Sequence, residues 1–441
     1  MTGVGDTVPP WLAAHPAYHG YLPREDVPTL LSKDGSYLVR VTQVSEEGGV
    51  THTSYVISYH LTKGQWAEAQ SQQEGKGLAG GGSGRSTGTP AEENMIRHIA
   101  VKESNGLYTI NEKNLFTSIK ELITHHAGHE EMIGGSGLKY KCRLETPMQR
   151  QGWEIQHDDI KIEEKLGEVG QFGLVMRGEL RRPSGKWVPV ALKQTKDDCA
   201  ASKQKRKEIM AECRLMRGLV HPNVVRFYGV AVAKQPIYIV LELVPGLDLH
   251  NYLLHNRGKV NKSQRHGFVA GVAFGIEYIH SQGIIHRDLA ARNCLVDTAK
   301  NMVKISDFGM SIRASEYELT RRKKGGDVKL PLRWLAPECI IELRYTQKTD
   351  VWAFGLIVLE IYAEGKQPYD GKRNEQVKEL LNNGVKPQLP KAAGKKLHEY
   401  MDNHVFASVE KRALMPDVCN FVVEWSGIQR PKIEEEEEEG T

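Results

Sequence analysis

A chain of 441 residues, 40% hydrophobic and 26% charged, has room for two or more ordinary cores. A formal net charge of +4 gives no argument for bulk binding to nucleic acid or to an anionic membrane. The longest apolar stretch, residues 351–359, is too short to cross a bilayer and stops at Glu360.

At the N-terminus there is no apolar signal core, and Thr2 stands where a myristoylation signal needs glycine. The six scattered cysteines contain no C-x-x-C pair and read as reduced cytosolic thiols. Residues 11–133 form the first ordered region. "WLAAHPAYHGYLPREDVPTLLSKDGSYLVRVT" predicts a helix over 23–31, a turn at Asp34-Gly35, then a strand in which Tyr37 and Val39 alternate with Leu38 and Arg40. An arginine within such a strand is costly to bury unless it meets an anion. Residues 64–94, including "GKGLAGGGSGRSTGTPAEEN", have little to bury and read as a flexible insertion. It falls inside a domain, because the strand-like patterns "TSYVISYHL" and "MIRHIAVKE" flank it. A polar connection follows over 134–152.

The second ordered region, 153–425, carries the motifs with the most chemistry. In order they are "KLGEVGQFGLV", "VALK", "EIMAECRLMRGLVHPNVV", "YIVLELV", "HRDLAARN", "KISDFG" and "RWLAPE". The chain closes on "KIEEEEEEGT", an acidic run that cannot form a core and reads as a solvated tail.

"YHGYLPRE", "GSYLVRVT" and "RHIAVKE" together resemble the Src-homology-2 (SH2) domain, a reader of phosphotyrosine. The resemblance implies that Arg40 forks onto two phosphate oxygens, which lysine cannot do. Arg24 would support the phosphate, Thr42 donate a hydroxyl, and His98 line the pocket. Val41 and Ala100 depart from the commoner acidic and basic residues.

The later motifs resemble the protein kinases over residues 160–423. This resemblance implies ATP with Mg2+ or Mn2+, because phosphoryl transfer needs positioning and charge neutralisation. Lys193 would bind the α- and β-phosphates, held by Glu212. Asp288 would accept the proton of the substrate hydroxyl, and Asn293 and Asp307 would ligate the metal. The glycine loop would comprise Leu166, Gly167, Glu168, Val169, Gly170, Gln171, Phe172, Gly173, Leu174 and Val175. Its first glycine is one place early, an extra residue that a bulge at Glu168-Val169 would absorb. Leu241 would be the gatekeeper, with Glu242 and Val244 in the hinge that contacts adenine.

Arg292, four residues after Asp288, and Pro331 match tyrosine kinases rather than serine/threonine kinases. With "DFGMS" and "RWLAPE", the chain is similar to the Fes/Fer group of non-receptor tyrosine kinases, without that group's N-terminal membrane-bending region. Tyr317, among Arg313, Arg321, Arg322, Lys323 and Lys324, would be the autophosphorylation site.

The expected fold class is α+β. The SH2 domain is placed at 11–137, a linker at 138–158, the kinase domain at 159–424 and the tail at 425–441. Expected partners are tyrosine-containing protein substrates and phosphotyrosine proteins, with no nucleic acid. The location is cytoplasmic, with any membrane recruitment coming through partners. The alternative is a pseudokinase scaffold that binds phosphotyrosine without catalysis, which the presence of Lys193, Glu212, Asp288, Asn293 and Asp307 opposes.

Overall fold

A computed structural model describes residues 8–45, 51–74, 95–133, 140–166, 174–194, 203–321 and 331–433. They mix sheets and helices, and the chain divides into two compact units. The glycine-loop tip 167–173 and the basic residues 322–324 lie outside the described residues, as does most of the acidic run.

The N-terminal sheet is built on β1 (Ser36–Ser45), β2 (Thr51–His60) and β3 (Ile96–Ala100), in the order β3–β2–β1. Tyr37, Val39 and Val41 enter the core with Tyr55, Ile57, Tyr59 and Ile99, as the alternation along β1 requires. Leu122 and Ile123 cover that core from a helix (Ile119–Gly128), whose N-terminus is capped by Ser118.

Two expectations are corrected here. Residues 64–94 are not an unbroken flexible insertion, because Lys63–Glu74 is a helix, here α1. Thr62 and Gln65 cap it reciprocally: Gln65 N–H donates to Thr62 Oγ1 (3.2 Å) and Thr62 N–H to Gln65 Oε1 (2.9 Å). Trp66 packs against the core, with the Arg97 guanidinium 4.9 Å from its ring centroid. Residues 75–94 lie outside the described residues.

The first domain also does not stop at 137. Tyr140–Cys142 pairs with Glu131–Ile133, Cys142 and Leu144 are core residues, and Thr146–Pro147 adds a parallel bridge to the start of β1. The segment reads as polar, but every second side chain, Tyr140, Cys142 and Leu144, is apolar and buried.

The second sheet has five strands. In chain order they are β4 (Ile160–Lys165), β5 (Leu174–Arg181), β6 (Trp187–Gln194), β7 (Phe227–Ala231) and β8 (Tyr238–Glu242), arranged β7–β8–β6–β5–β4. Between β5 and β4, Met176 faces Lys165 while Gly178 faces Ile162. One extra residue is therefore absorbed in β4, ahead of the glycine loop.

The helix α2 (Lys203–Met216) precedes β7. The helical body that follows centres on α3 (Lys262–Ser281) and α4 (Gln347–Tyr362). The apolar stretch 351–359 is the middle of α4, buried on all sides from Thr349 to Tyr362. No described helix is long and apolar enough to cross a membrane. At the C-terminal end a helix runs Met415–Ser426, and Arg430 forks onto Glu277 (2.8 and 2.9 Å). The tail boundary placed at 425 is therefore corrected as well: the chain stays attached at least to Arg430.

Candidate functional sites

Arg40 lies on the face of β1 opposite Tyr37 and Val39 and is only 7% exposed. Its Nε donates to Ser58 Oγ (3.3 Å), and that hydroxyl shares a hydrogen bond with His98 Nδ1 (2.9 Å). Having accepted from Arg40, the hydroxyl donates to Nδ1, which leaves the neutral imidazole proton on Nε2. The sheet register makes the chain possible, because Ser58 lies directly opposite His98 and diagonal to Arg40.

Arg40 makes no ion pair among the described residues. Burial lowers its pKa to about 10, helped by the charge of Arg24, which opens the turn Arg24–Asp26. Burial, then Arg40 and Arg24, push His98 down to about 4. Thr42 follows Arg40 on the same face and is half-buried. The result is a pocket of concentrated positive charge, suited to a doubly charged phosphate.

The second cluster lies in the helical body. Arg292 Nη2 donates to Asp288 Oδ1 (2.5 Å). Asn293 Nδ2 donates to Asp288 Oδ2 (2.8 Å) and to its carbonyl (2.7 Å). Burial raises the Asp288 pKa above the ordinary aspartate value, while Arg292, His286 and Asn293 oppose the rise. The loop is anchored from α4. Asp350 Oδ2 accepts from His286 N–H (2.8 Å) and Oδ1 from Arg287 N–H (3.0 Å). Arg287 and Asp307 both have positive φ, +67° and +61°, conformations that strain a residue with a side chain.

The residues fit a divalent cation. With both donor contacts of Asn293 spent on Asp288, its Oδ1 is the atom left for a metal, and Asp307 supplies carboxylate oxygen. Among the described residues no cluster of three His, Cys, Asp or Glu side chains forms a metal cage. A sparse oxygen set suits a cation that keeps waters and phosphate oxygens. Glu212 is buried near this turn: a Cβ built on Gly309 would lie 3.4 Å from Asp307 Oδ1 and 3.6 Å from Glu212 Oε2.

Lys193 stands on β6, one residue before its end. At the glycine loop, Leu166 N–H donates to Val175 O (2.8 Å), and Leu174 and Val175 begin β5. Gly167, Glu168, Val169, Gly170, Gln171, Phe172 and Gly173 lie outside the described residues, with the bulge expected there. Glu242 ends β8. Its carboxylate holds Lys304 Nζ (2.9 and 3.0 Å) and accepts from Arg226 N–H (3.1 Å), and its own N–H donates to Arg226 O (2.9 Å), so its backbone carbonyl is the group left for adenine. Val244 is buried.

Tyr317 is not an exposed loop tyrosine. It is 7% exposed, its hydroxyl donates to Leu343 O (2.6 Å) and accepts from Tyr345 N–H (3.0 Å). Leu343 and Tyr345 follow "APE" in the chain and place it there by packing.

Sequence reasoning missed Ser58, Asp350 and Trp334. The Trp334 ring lies 4.4 Å from the Arg292 guanidinium, in the turn Leu332–Trp334 that Pro331 opens. Ser58 could have been found by laying "SYVISYH" antiparallel to "SYLVRVT". Asp350 carries no local signal.

A buried arginine awaiting an anion on one sheet, and an aspartate clamped by arginine and asparagine beside a second aspartate, define a protein kinase joined to a phosphate reader. The sequence profile described as "Protein tyrosine and serine/threonine kinase" matches residues 160–422, and that described as "SH2 domain" matches residues 18–126. The chain belongs to the protein kinase family, among the SH2-containing non-receptor tyrosine kinases related to Fps and Fer.

It is 33% identical over 384 residues to the tyrosine-protein kinase transforming protein Fps of avian sarcoma virus (strain PRCII), covering 87% of this chain and 62% of that protein. With the tyrosine-protein kinase Fer of Mus musculus the identity is 32% over 386 residues, covering 86% and 40%. With Fer-related kinase 1 of Caenorhabditis elegans it is 34% over 378 residues, covering 85% and 84%. The chain thus spans less than two thirds of the length of the Fps and Fer relatives.

Proposed function

We propose that this chain transfers the γ-phosphate of ATP to tyrosine hydroxyls in protein substrates, and that its SH2 domain steers it to phosphotyrosine proteins. Asp288 orients the acceptor hydroxyl and takes its proton, while Arg292 holds the Asp288 carboxylate in place. Lys193, held by Glu212, binds the α- and β-phosphates. The loop from Leu166 to Val175 covers them, and the backbone of Glu242 and Val244 meets adenine. Asn293 and Asp307 hold Mg2+ or Mn2+, which neutralises charge on the phosphates when bound.

Arg40, Arg24, Thr42 and His98 receive the phosphotyrosine. Tyr317 is the autophosphorylation site, reached when its segment opens. The setting is the cytoplasm, and partners bring the protein to membranes.

The observation that carries this reading is the Arg292–Asp288 pair beside Trp334. An arginine four residues after the catalytic aspartate, 4.4 Å from the centroid of an aromatic ring, supports a tyrosine rather than a serine acceptor. The test is purified protein with magnesium-ATP and two peptide pools, one randomised around tyrosine and one around serine and threonine. Transfer to tyrosine alone is expected. Phosphotyrosine binding without transfer would replace this reading with the scaffold.

A further inference from the structure

The end of α3, the start of α4 and the helix Met415–Ser426 leave a cavity of about 530 Å³ in the helical body. That volume is in the range of ligand sites. None of the residues assigned above to ATP, metal or acceptor lines it. Phe274 and Met415 line it from within and are buried, while Leu414 and Ile433 line it at 47% and 52% exposure. A single large apolar side chain in solvent needs no explanation, but two on the edge of one cavity do.

The polar groups on the wall are spent within the protein. Tyr278 Oη accepts from Val220 N–H (2.8 Å), Gln347 Nε2 donates to His280 O (2.7 Å), and Arg430 meets Glu277 (2.8 Å). Burial, then the charge of Lys304, pushes His221 down to about 4, so its ring is neutral at pH 7. The interior therefore suits an apolar side chain better than an ion.

Charge enters at the edge. In the sequence Ile433 is followed by six glutamates, residues 434–439, set against Lys432 alone. Asp417, next to Pro416 of the wall, is exposed. So much negative charge repels nucleic acid and anionic lipid and attracts lysine and arginine. A ligand that meets both surfaces carries an apolar side chain a few residues from a basic cluster.

We propose that this cavity, with the acidic run that follows Ile433 in the chain, docks a basic–apolar segment of a protein partner. An apolar side chain enters between Leu414 and Ile433, and the partner's lysines and arginines meet the glutamates. Binding of this kind needs no phosphate transfer. Under the tyrosine kinase reading, on which this part alone rests, a substrate carrying such a segment gains a second point of attachment away from Asp288, which lowers its KM and leaves kcat alone.

The test uses the full chain and a fluorescent peptide, KRKRGGLGL, with KRKRGGSGS as its control, by anisotropy at low and at physiological salt. The leucine peptide is expected to bind about tenfold tighter than the control. Leu414→Ser with Ile433→Ser should remove most of that preference. Changing every residue from Glu434 to Glu439 to glutamine should weaken both peptides and flatten their salt dependence. Attached to a single-tyrosine peptide, KRKRGGLGL should lower KM by about tenfold in the wild type and by less than about twofold in the double variant, with kcat for the untagged peptide unchanged. If the double variant does not fold, Ser281→Trp, which fills the cavity from an exposed position on α3, takes its place with the same expected loss of preference.

The proposal is overturned if the two peptides bind equally, if the preference survives in the double variant or in Ser281→Trp, or if the glutamine chain binds as tightly as the wild type at low salt. Binding of an uncharged apolar dye that outlasts any effect of the peptides would give the cavity to a small molecule instead. Self-association by sedimentation, lost in the double variant, would make the occupant a second copy and overturn the partner assignment. Peptide binding is read without ATP, so docking without transfer would sink only the kinase reading, and transfer without docking would sink only the docking site.

Discussion

The two charged sites treat charge in opposite ways. Around Asp288 the protein supplies its own compensation: the carboxylate meets Arg292 and Asn293 before any substrate arrives. Around Arg40 it withholds compensation. The guanidinium is buried, its side-chain bond is to a hydroxyl, and the charge of Arg24 presses on it with only Glu25 acting the other way. A group that must hold a geometry through a reaction is balanced in advance. A group that must capture a dianion is left unbalanced, so the ligand supplies what the fold does not.

The largest expected effect falls on the balanced site. Asp288→Asn should lower phosphate transfer to peptide by about 10²–10⁴-fold, the usual contribution of a positioned proton acceptor, at an unchanged melting temperature. Phosphate incorporation measures it. Transfer within a few-fold of wild type would show that Asp288 only organises its loop.

A buried pair with no ligand to meet offers a control. Arg412 forks onto Glu338 (2.5 and 3.2 Å). Arg412→Leu leaves Glu338 buried without its partner and should cost about 3–5 kcal/mol by chemical denaturation. A loss below about 1 kcal/mol would mean that the pair resembles an exposed one.

Arg40→Lys sharpens the comparison from the other side. It keeps the charge and loses the fork, so phosphopeptide binding by calorimetry should weaken about tenfold to a hundredfold, one charge-assisted bond of about 1.5–3 kcal/mol. Stability should change little, because lysine keeps the buried positive charge. Equal affinity would remove Arg40 from the pocket.

His98 gives a smaller signal. Its folded pKa of about 4 lies below the ordinary 6.5, so between those values the unfolded chain binds the extra proton. Stability that is present above about 6.5 is therefore lost as pH falls towards 4. His98→Gln should flatten that part of the stability curve, read from melting temperatures across the window, and an unchanged slope would contradict the shift. The smallest effect is expected from deleting residues 75–89, beyond the end of α1, since loop-closure entropy changes slowly with length. A large drop in melting temperature or in phosphopeptide affinity would show that this segment packs.

The same contrast explains what could be read from the sequence. Asp288, Arg292, Asn293 and Asp307 stand in contiguous motifs, because one loop delivers them and the spacing is local. Arg40 stood out because an arginine among Tyr, Leu and Val is expensive. Ser58, Asp350 and Glu360 did not, since their partners come from a neighbouring strand or from a loop some 60–70 residues earlier in the chain. α1 was legible in principle: "TKGQ" is a capping signature, hidden by the glycine-rich run after it. The domain edge was misplaced because polar residues separate Tyr140, Cys142 and Leu144, and three alternating positions are too few to set against a loop.

Tyr317 carries a kinetic consequence. A hydroxyl that both donates and accepts inside the protein cannot reach a phosphoryl group without surrendering those bonds. At about 1 kcal/mol each, two lost bonds alone make the open form a minority of a few per cent. As the proposed autophosphorylation site, Tyr317 would then be modified at the intrinsic rate scaled by that fraction. A phosphate on Tyr317 would add about −1.5 to −2 charge to a side chain that the fold buries, which would oppose its return. Such a step would behave as a ratchet: slow to enter, self-locking afterwards, with a lag in the time course that shortens when molecules already opened act on those still closed.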